Sequence, residues 1–134
     1  MTPSFSPVIP VLRMFDLNTT LRFYCDYLGC KVDWQEGDGD RPIYLQVSRG
    51  DLVLHLSSHH GDGTPGTAVY IETRDAEGLH RELHEKNYPF FNPGLEEHGP
   101  GRQMTLMDPA SNLLRFFDRT PPSTTTGSGP VREI

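Results

Sequence analysis

Hydrophobic and polar residues alternate along residues 43–56, which is the clearest local pattern in the chain. Such alternation predicts two half-buried strands, because successive side chains of a strand point to opposite faces. If Arg49-Gly50 forms the turn between them, Leu45 pairs with Leu54 and Tyr44 pairs with His55. One face of this hairpin is then aliphatic, with Ile43, Leu45, Val47, Leu52, Leu54 and Leu56. The other face is mixed, with Tyr44, Gln46, Val53 and His55.

The two faces of the hairpin predict different surroundings. The aliphatic face needs helices or a second sheet to cover it. The mixed face combines apolar area with a few polar groups, which is typical of a ligand cleft but also of a solvated sheet surface. Both interpretations of the mixed face stay open at the level of the sequence.

The order strand, helix and three strands is predicted twice, with equivalent positions 59 or 60 residues apart. In each copy an acidic residue, Asp16 (or the nearby Asn18) and then Asp75, is placed to cap the helix. The first helix is expected to run to about Leu28 and to end at Gly29. Besides the hairpin, strands are expected at 7–13, 31–35, 68–73, 88–91, 103–107 and 113–118.

The chain length of 134 residues fits one compact domain. We expect this domain to cover residues 1–119, with its two modules at about 5–60 and 66–119. Residues 120–134 form a low-complexity tail of mainly Pro, Ser, Thr and Gly, and such a composition predicts disorder.

Charge and composition narrow the class of partner and the compartment. Twelve basic and 18 acidic side chains give a formal net charge of −6 and a pI near 5.4, which argues against a nucleic-acid partner. No apolar run approaches the roughly 18 residues of a membrane span, and residues 1–10 lack the features of a secretory signal. Cys25 and Cys30 have no metal-binding spacing and are expected to be free thiols. We therefore expect a cytoplasmic protein.

Four segments resemble the vicinal-oxygen-chelate superfamily, which includes glyoxalase I, extradiol dioxygenases, and fosfomycin- and bleomycin-resistance proteins. They are residues 8–12, 21–29, 50–54 and 108–113. The resemblance is closest to the bleomycin-resistance branch, through a Pro-Val-Leu start, a Leu-Gly helix end and an aromatic second strand. It implies an α+β fold of two βαβββ modules that form a cupped eight-stranded mixed sheet with helices on its outer face.

The enzymes of that superfamily hold a divalent metal at four positions, which in this chain are Ile9, His55, Ala68 and Arg115. Ile9 and Ala68 carry no donor atom, and Arg115 is a fixed cation that repels a metal ion. The one remaining histidine is too few ligands for a protein metal site. The expectation is therefore binding without a metal or other cofactor, and no motif for a catalytic nucleophile is visible.

The resemblance implies a homodimer that sequesters a cationic glycopeptide antibiotic of the bleomycin type in grooves between its subunits. Trp34 and Tyr70 match aromatic groove positions of that branch, whereas Pro100 stands where a third aromatic ring is usual. Pro10 suggests that the N-terminal strand exchanges between subunits. The expected ligand contacts are Trp34, Tyr44, Gln46, His55, Tyr70, Glu72, Met104 and Arg115.

Several alternatives remain open for these residues. Trp34 can be a structural residue at a sheet edge, and His55 can bond to Tyr44 instead of to a ligand. Glu72 can meet a ligand cation or form an ion pair with Arg115. An alternative function is a lyase or isomerase with a relocated or absent metal and His55 or Glu72 as its base. A ligand-sensing module without a role in drug resistance is a third.

Overall fold

Two βαβββ modules contain every helix and strand of residues 2–89 and 93–119, the parts of the chain that the computed structural model describes. The first module comprises β1 (Val11–Arg13), α1 (Leu17–Leu21) with a π-helical continuation (Arg22–Tyr27), β2 (Lys31–Glu36), β3 (Tyr44–Arg49) and β4 (Leu52–Ser57). The second comprises β5 (Ala68–Glu72), α2 (Ala76–Lys86), β6 (Glu96–His98), β7 (Gly101–Met107) and β8 (Leu113–Asp118). The predicted α+β class and its two modules are confirmed.

Each module contributes one four-stranded mixed sheet, with the strand orders β1-β4-β3-β2 and β5-β8-β7-β6. The pairs β1–β4 and β5–β8 are parallel, and the other neighbours are antiparallel. Strand pairing stays within each sheet over the described residues. The single continuous eight-stranded sheet that was expected is therefore not established.

One hydrophobic cluster joins the two modules and covers the aliphatic face of the predicted hairpin. Phe23 and Tyr24 of the π-helical segment and Leu83 of α2 are buried in the same cluster as Leu45 and Leu56. The rings of Phe23 and Tyr24 meet edge to face at 4.9 Å, a favoured aromatic geometry. The helices thus supply the covering layer that the aliphatic face requires. No described helix is long and apolar enough to cross a bilayer.

The hairpin forms as predicted, but its register differs by two residues. The turn is Gly50-Asp51, so Arg49 pairs with Leu52, and Leu45 pairs with Leu56 rather than with Leu54. Gly50 has a φ of +59°, which suits a turn position where a side chain would be strained. A shift of two residues leaves every side chain on its predicted face, because the strand repeats every second residue.

Both predicted helix caps are present. Asp16 accepts a 2.8 Å hydrogen bond from the Thr19 backbone N–H, and Asp75 accepts one of 3.0 Å from the Gly78 N–H. These bonds satisfy N–H groups that the first turn of a helix cannot pair internally. The π-helical continuation ends at Tyr27 with Leu28 as its C-cap, and the next residue, Gly29, has a φ of +86°, in the left-handed region that favours glycine.

Two elements differ from the sequence prediction. The strand expected at 7–13 is confined to Val11–Arg13, and residues 2–10 form an N-terminal arm outside the strands. No strand occupies residues 88–89, and residues 90–91 lie outside the described parts; the sixth strand is instead Glu96–His98. The predicted low-complexity tail, 120–134, also lies outside the described residues.

Candidate ligand-binding site

The mixed face of the first sheet carries three rings in mutual contact, named here the aromatic wall (Trp34, Tyr44 and His55). Trp34 and Tyr44 lie almost parallel, with an interplanar angle of 4° and 5.9 Å between ring centroids. His55 meets both rings edge-on, at 5.2 Å from Trp34 and 5.1 Å from Tyr44. Trp34 keeps 40% of its surface exposed, so part of the wall is available to a planar partner.

A chain of hydrogen bonds runs along the base of the aromatic wall. Gln46 Nε2 donates to Asp33 Oδ2 at 3.0 Å, and Gln46 Oε1 lies 2.9 Å from His55 Nε2. His55 Nδ1 lies 2.7 Å from the Tyr44 hydroxyl. Because Asp33 can only accept, it orients the Gln46 amide, and Gln46 Oε1 then requires a proton on His55 Nε2. Nδ1 of neutral His55 therefore accepts a hydrogen bond from the Tyr44 hydroxyl.

Asp33, the acceptor at the start of this chain of hydrogen bonds, remains ionised over the normal pH range. Hydrogen bonds from Lys31, Gln46 and Ser48, with the Lys31 bond having the largest effect, lower the pKa of Asp33 to about 2. An ionised carboxylate, paired with Lys31, thus lies beside the mixed face of β3. The predicted contact between Tyr44 and His55 is confirmed, and it is diagonal, because the cross-strand partner of His55 is Gln46.

A second oriented histidine, absent from the predicted site, lies at the rim of the wall. The buried Ser57 hydroxyl donates to Asp62 Oδ2 at 2.8 Å, so it can only accept at the 3.2 Å contact with His59 Nδ1. This fixes the proton of neutral His59 on Nδ1. The His59 ring lies 6.2 Å from the Tyr44 ring. No local sequence signal distinguishes His59 from an ordinary loop histidine.

The face of the second sheet that carries Tyr70 has its own ring cluster. Tyr70, 55% exposed, stacks on the buried Phe117 at 5.8 Å, and His98 meets Phe117 edge-on at 6.2 Å. The Arg119 guanidinium lies 5.3 Å from the Phe117 ring centroid, and its Nε lies 3.5 Å from Glu72 Oε2. Glu72 therefore pairs with Arg119.

The suggested pairing of Glu72 with Arg115 is not present. Arg115 is exposed and has no ion pair within the described residues. It lies opposite Tyr70 in the β5–β8 pairing, while Glu72 lies opposite Phe117. Arg115 is therefore not a buried arginine that needs a carboxylate partner.

Met104 was expected to contact a ligand and does not face the site. Its side chain is 0% exposed and belongs to the hydrophobic core. Met104 shares the strand periodicity of the buried Leu106, whereas Thr105 points to the opposite face. The alternation along β7 would have placed Met104 correctly.

A cavity of about 740 Å³ separates the first sheet from the second. The arm contributes residues 6–10 to its lining, and the sheets contribute mainly Leu52–Leu54 of β4 and Val69–Glu72 of β5. β1 pairs with β4 only from His55 onward, so Leu52–Leu54 have no neighbour on that side among the described strands. β5 is likewise an edge strand. Two open strand edges thus line the same cavity.

Comparison with known proteins assigns the family. A family model described as a glyoxalase superfamily protein matches residues 2–122, which is most of the chain. The chain belongs to the glyoxalase superfamily. A solved relative in this superfamily, the bleomycin-binding protein of the bleomycin producer Streptomyces verticillus in complex with copper(II)-bleomycin, is 31% identical. The match covers 86% of this chain and 97% of that one, with a TM-score of 0.65.

Two further solved structures share the fold at lower identity. The bleomycin resistance determinant encoded on transposon Tn5 is 23% identical over 87% of this chain and 100% of that one, with a TM-score of 0.67. TnmS3, an antibiotic binding protein from Streptomyces sp. CB03234, is 18% identical over 89% and 100%, with a TM-score of 0.69. No curated protein sequence matches the chain.

The metal positions of the superfamily enzymes can now be placed in this chain. Ala68 and Arg115 lie on the exposed face of the second sheet, His55 lies in the aromatic wall, and Ile9 lies in the arm. Both ring nitrogens of His55 already have protein partners. No three His, Cys, Asp or Glu side chains of residues 2–89 and 93–119 group together as metal ligands. This residue set does not fit the superfamily's metal, and metal-independent recognition stays a prediction.

Proposed function

We propose that this glyoxalase-superfamily chain is a small-molecule binding protein, which holds a flat, cationic ligand of the bleomycin type in grooves at a homodimer interface. The observation that carries the proposal is the aromatic wall, with its nearly parallel Trp34 and Tyr44 rings. The 31% identity to a protein solved with copper(II)-bleomycin supports this class of ligand.

Stacking is the interaction that the aromatic wall favours. Aromatic pairs are worth about 0.5–1.5 kcal/mol beyond the area they bury, and ligand clefts combine such apolar surface with a few placed polar groups. Gln46 and His55 provide those polar groups and are held in one arrangement by Asp33. A wall whose side chains are already fixed loses little entropy when a ligand binds.

Electrostatics favours a cationic ligand. The charge of Asp33 beside the wall is balanced by its ion pair with Lys31, whereas the chain as a whole carries a formal net charge of −6. Such a field concentrates positively charged ligands near the surface and speeds their association. The same hydrogen bonds make His55 a poor general base, because Nδ1 already accepts from Tyr44 and Nε2 holds its proton against Gln46.

The exposed arm and the two open strand edges, of β4 and β5, support a homodimer. Val8 is 91% exposed and Phe5 is almost fully exposed, which is a large exposure for two apolar side chains. The arm is held to its own module at Pro10, whose carbonyl accepts a hydrogen bond from the His55 N–H. At the usual strand spacing and rise, a cavity of about 740 Å³ accommodates about five residues of strand. We propose that the arm of a second copy pairs with β4 and β5 in this cavity, and that Pro10 marks the point of exchange.

Calorimetric titration with bleomycin, both metal-free and copper-loaded, tests the ligand. We expect saturable heat with one ligand per chain, and the same binding followed by fluorescence, since Trp34 is the only tryptophan. Absence of heat and of any fluorescence change contradicts the assignment of a bleomycin-type ligand.

Two substitutions separate stacking from simple apolar contact. Trp34→Phe keeps a ring and should retain most of the affinity. Trp34→Leu keeps apolar volume without a ring and should weaken binding about tenfold, which corresponds to the loss of about 1.4 kcal/mol. Equal affinities of the two variants count against the wall as the contact surface.

A further inference from the structure

The second sheet holds a cluster of three rings, named here the Phe117 cage (Tyr70, Phe117 and His98). Tyr70 stacks on Phe117 with an interplanar angle of 28°, and His98 meets it at 82°. Rings that converge in this way, with a carboxylate nearby, form the kind of site that recognises organic cations. Glu72 supplies the carboxylate, because it lies directly opposite Phe117 in the strand pairing.

The chain places its own cation at this cage. The Arg119 guanidinium lies 5.3 Å from the Phe117 ring centroid, within the range of a cation–π interaction, and its Nε is 3.5 Å from the Glu72 carboxylate. Both side chains of the ion pair are largely exposed, so the pair is weak. Arg119 is therefore an occupant that another cation can replace without disrupting the fold.

We propose that the Phe117 cage and Glu72 form a receptor for the guanidinium or similar organic cation of a ligand, and that Arg119 fills this receptor until the ligand displaces it. The proposal adds a second contact to the proposed function. It rests on that function only for the identity of the natural ligand. A tethered competitor lowers the apparent affinity of the free cation, because the tether gives it a high effective concentration.

The charges on this face support an exchange of one cation for another. Glu72 and Glu96 are acidic, and Arg115 and Arg119 are basic; Glu96 shares the face through its pairing with Gln103. Displacement of Arg119 by a ligand cation leaves the Glu72 carboxylate paired with a cation, whereas displacement by a neutral ligand leaves that carboxylate unpaired.

Ethylguanidinium, titrated at constant ionic strength, is the probe, and the Tyr70 ring resonances in NMR are the readout. Arg119→Ala should bind ethylguanidinium about two- to fivefold more tightly than the unchanged chain does. A change in affinity of this size matches the strength of an exposed cation–π contact. Arg119→Lys, which retains a tethered cation, should remain near the original affinity. Adding Glu72→Gln to Arg119→Ala should remove most of the gain.

Arg115→Ala is the matched control, since it removes an equal charge from the same face without vacating the cage. A gain in Arg119→Ala but not in Arg115→Ala supports the proposal. Equal gains in both variants attribute the effect to net charge and overturn it, as does an unchanged affinity in Arg119→Ala. Because the probe is a small cation and the readout is a ring of the second sheet, these outcomes are independent of bleomycin binding at Trp34.

Discussion

The Tyr24 hydroxyl, in the π-helical segment of the first module, donates a 2.5 Å hydrogen bond to Oδ2 of Asp108, in the turn between β7 and β8 of the second. The same carboxylate accepts the backbone N–H groups of Ala110 and Asn112 and the Asn112 side-chain amide. Asn112 Nδ2 also donates to the carbonyl of Arg13, the last residue of β1. A single buried carboxylate therefore joins the two modules.

Removal of the Tyr24 hydroxyl should destabilise the fold. Tyr24→Phe deletes one bond to a buried carboxylate, and the free energy of unfolding should fall by about 1–2 kcal/mol. Asp108→Asn should cost more, because its amide NH₂ faces groups that donate hydrogen bonds. Urea unfolding provides the measurement, and Tyr70→Phe, which removes an exposed hydroxyl, is the control with little expected change. Equal stabilities of Tyr24→Phe and Tyr70→Phe contradict this role.

The same contact predicts a loss of stability at alkaline pH. Burial, and next the charge of Asp108, raise the pKa of Tyr24 well above its ordinary value. The folded protein therefore holds this proton more tightly than the unfolded chain does, so the stabilisation is complete below pH about 10, the ordinary tyrosine pKa, and is lost above it. The unfolding free energy of the original chain should fall more steeply above that pH than that of Tyr24→Phe. Parallel curves count against the prediction.

The hydrogen-bond chain behind the aromatic wall predicts one tautomer of His55. Neutral His55 should carry its proton on Nε2, and ¹⁵N NMR of the imidazole measures this directly. Asp33→Ala removes the group that orients the Gln46 amide, so both tautomers should then be populated. Asp38→Ala, which removes an exposed aspartate paired with Arg41, is the control and should leave the tautomer unchanged. An Nδ1–H tautomer in the original chain contradicts the assigned network.

Features governed by local chemistry were predictable from the sequence. Asp16 and Asp75 cap their helices because a cap needs only the next three residues. The faces of the β3–β4 hairpin were correct although the register was not, because a two-residue shift preserves the alternation. The alternation along β8 also places Phe117 on the same face as Arg115, so the position of this ring of the Phe117 cage could have been predicted in the same way.

Features that depend on distant strands were not predictable. The short polar strand Glu96–His98 exists through its pairing with β7, and nothing in its composition favours a strand. His98 reaches Phe117 only because the strand order is β5-β8-β7-β6. The sequence also could not decide whether Arg115 or Arg119 pairs with Glu72. Both arginines lie two residues from Phe117, which is the strand partner of Glu72, and the structure pairs Glu72 with Arg119.

The exposed arm predicts a dimer that a single charge can dissociate. Val8 is 91% exposed in one chain, so Val8→Asp should leave the stability of a monomer almost unchanged. If the arm instead lies in the cavity of a second copy, the aspartate must be buried beside apolar β4 and β5 residues, which strongly disfavours association. Sedimentation equilibrium should give twice the 15.1 kDa chain mass for the original chain and the single mass for Val8→Asp. Phe15→Asp, at an exposed residue outside the cavity lining, is the control and should remain dimeric. A monomeric original chain, or a dimeric Val8→Asp, shows that the arm does not exchange.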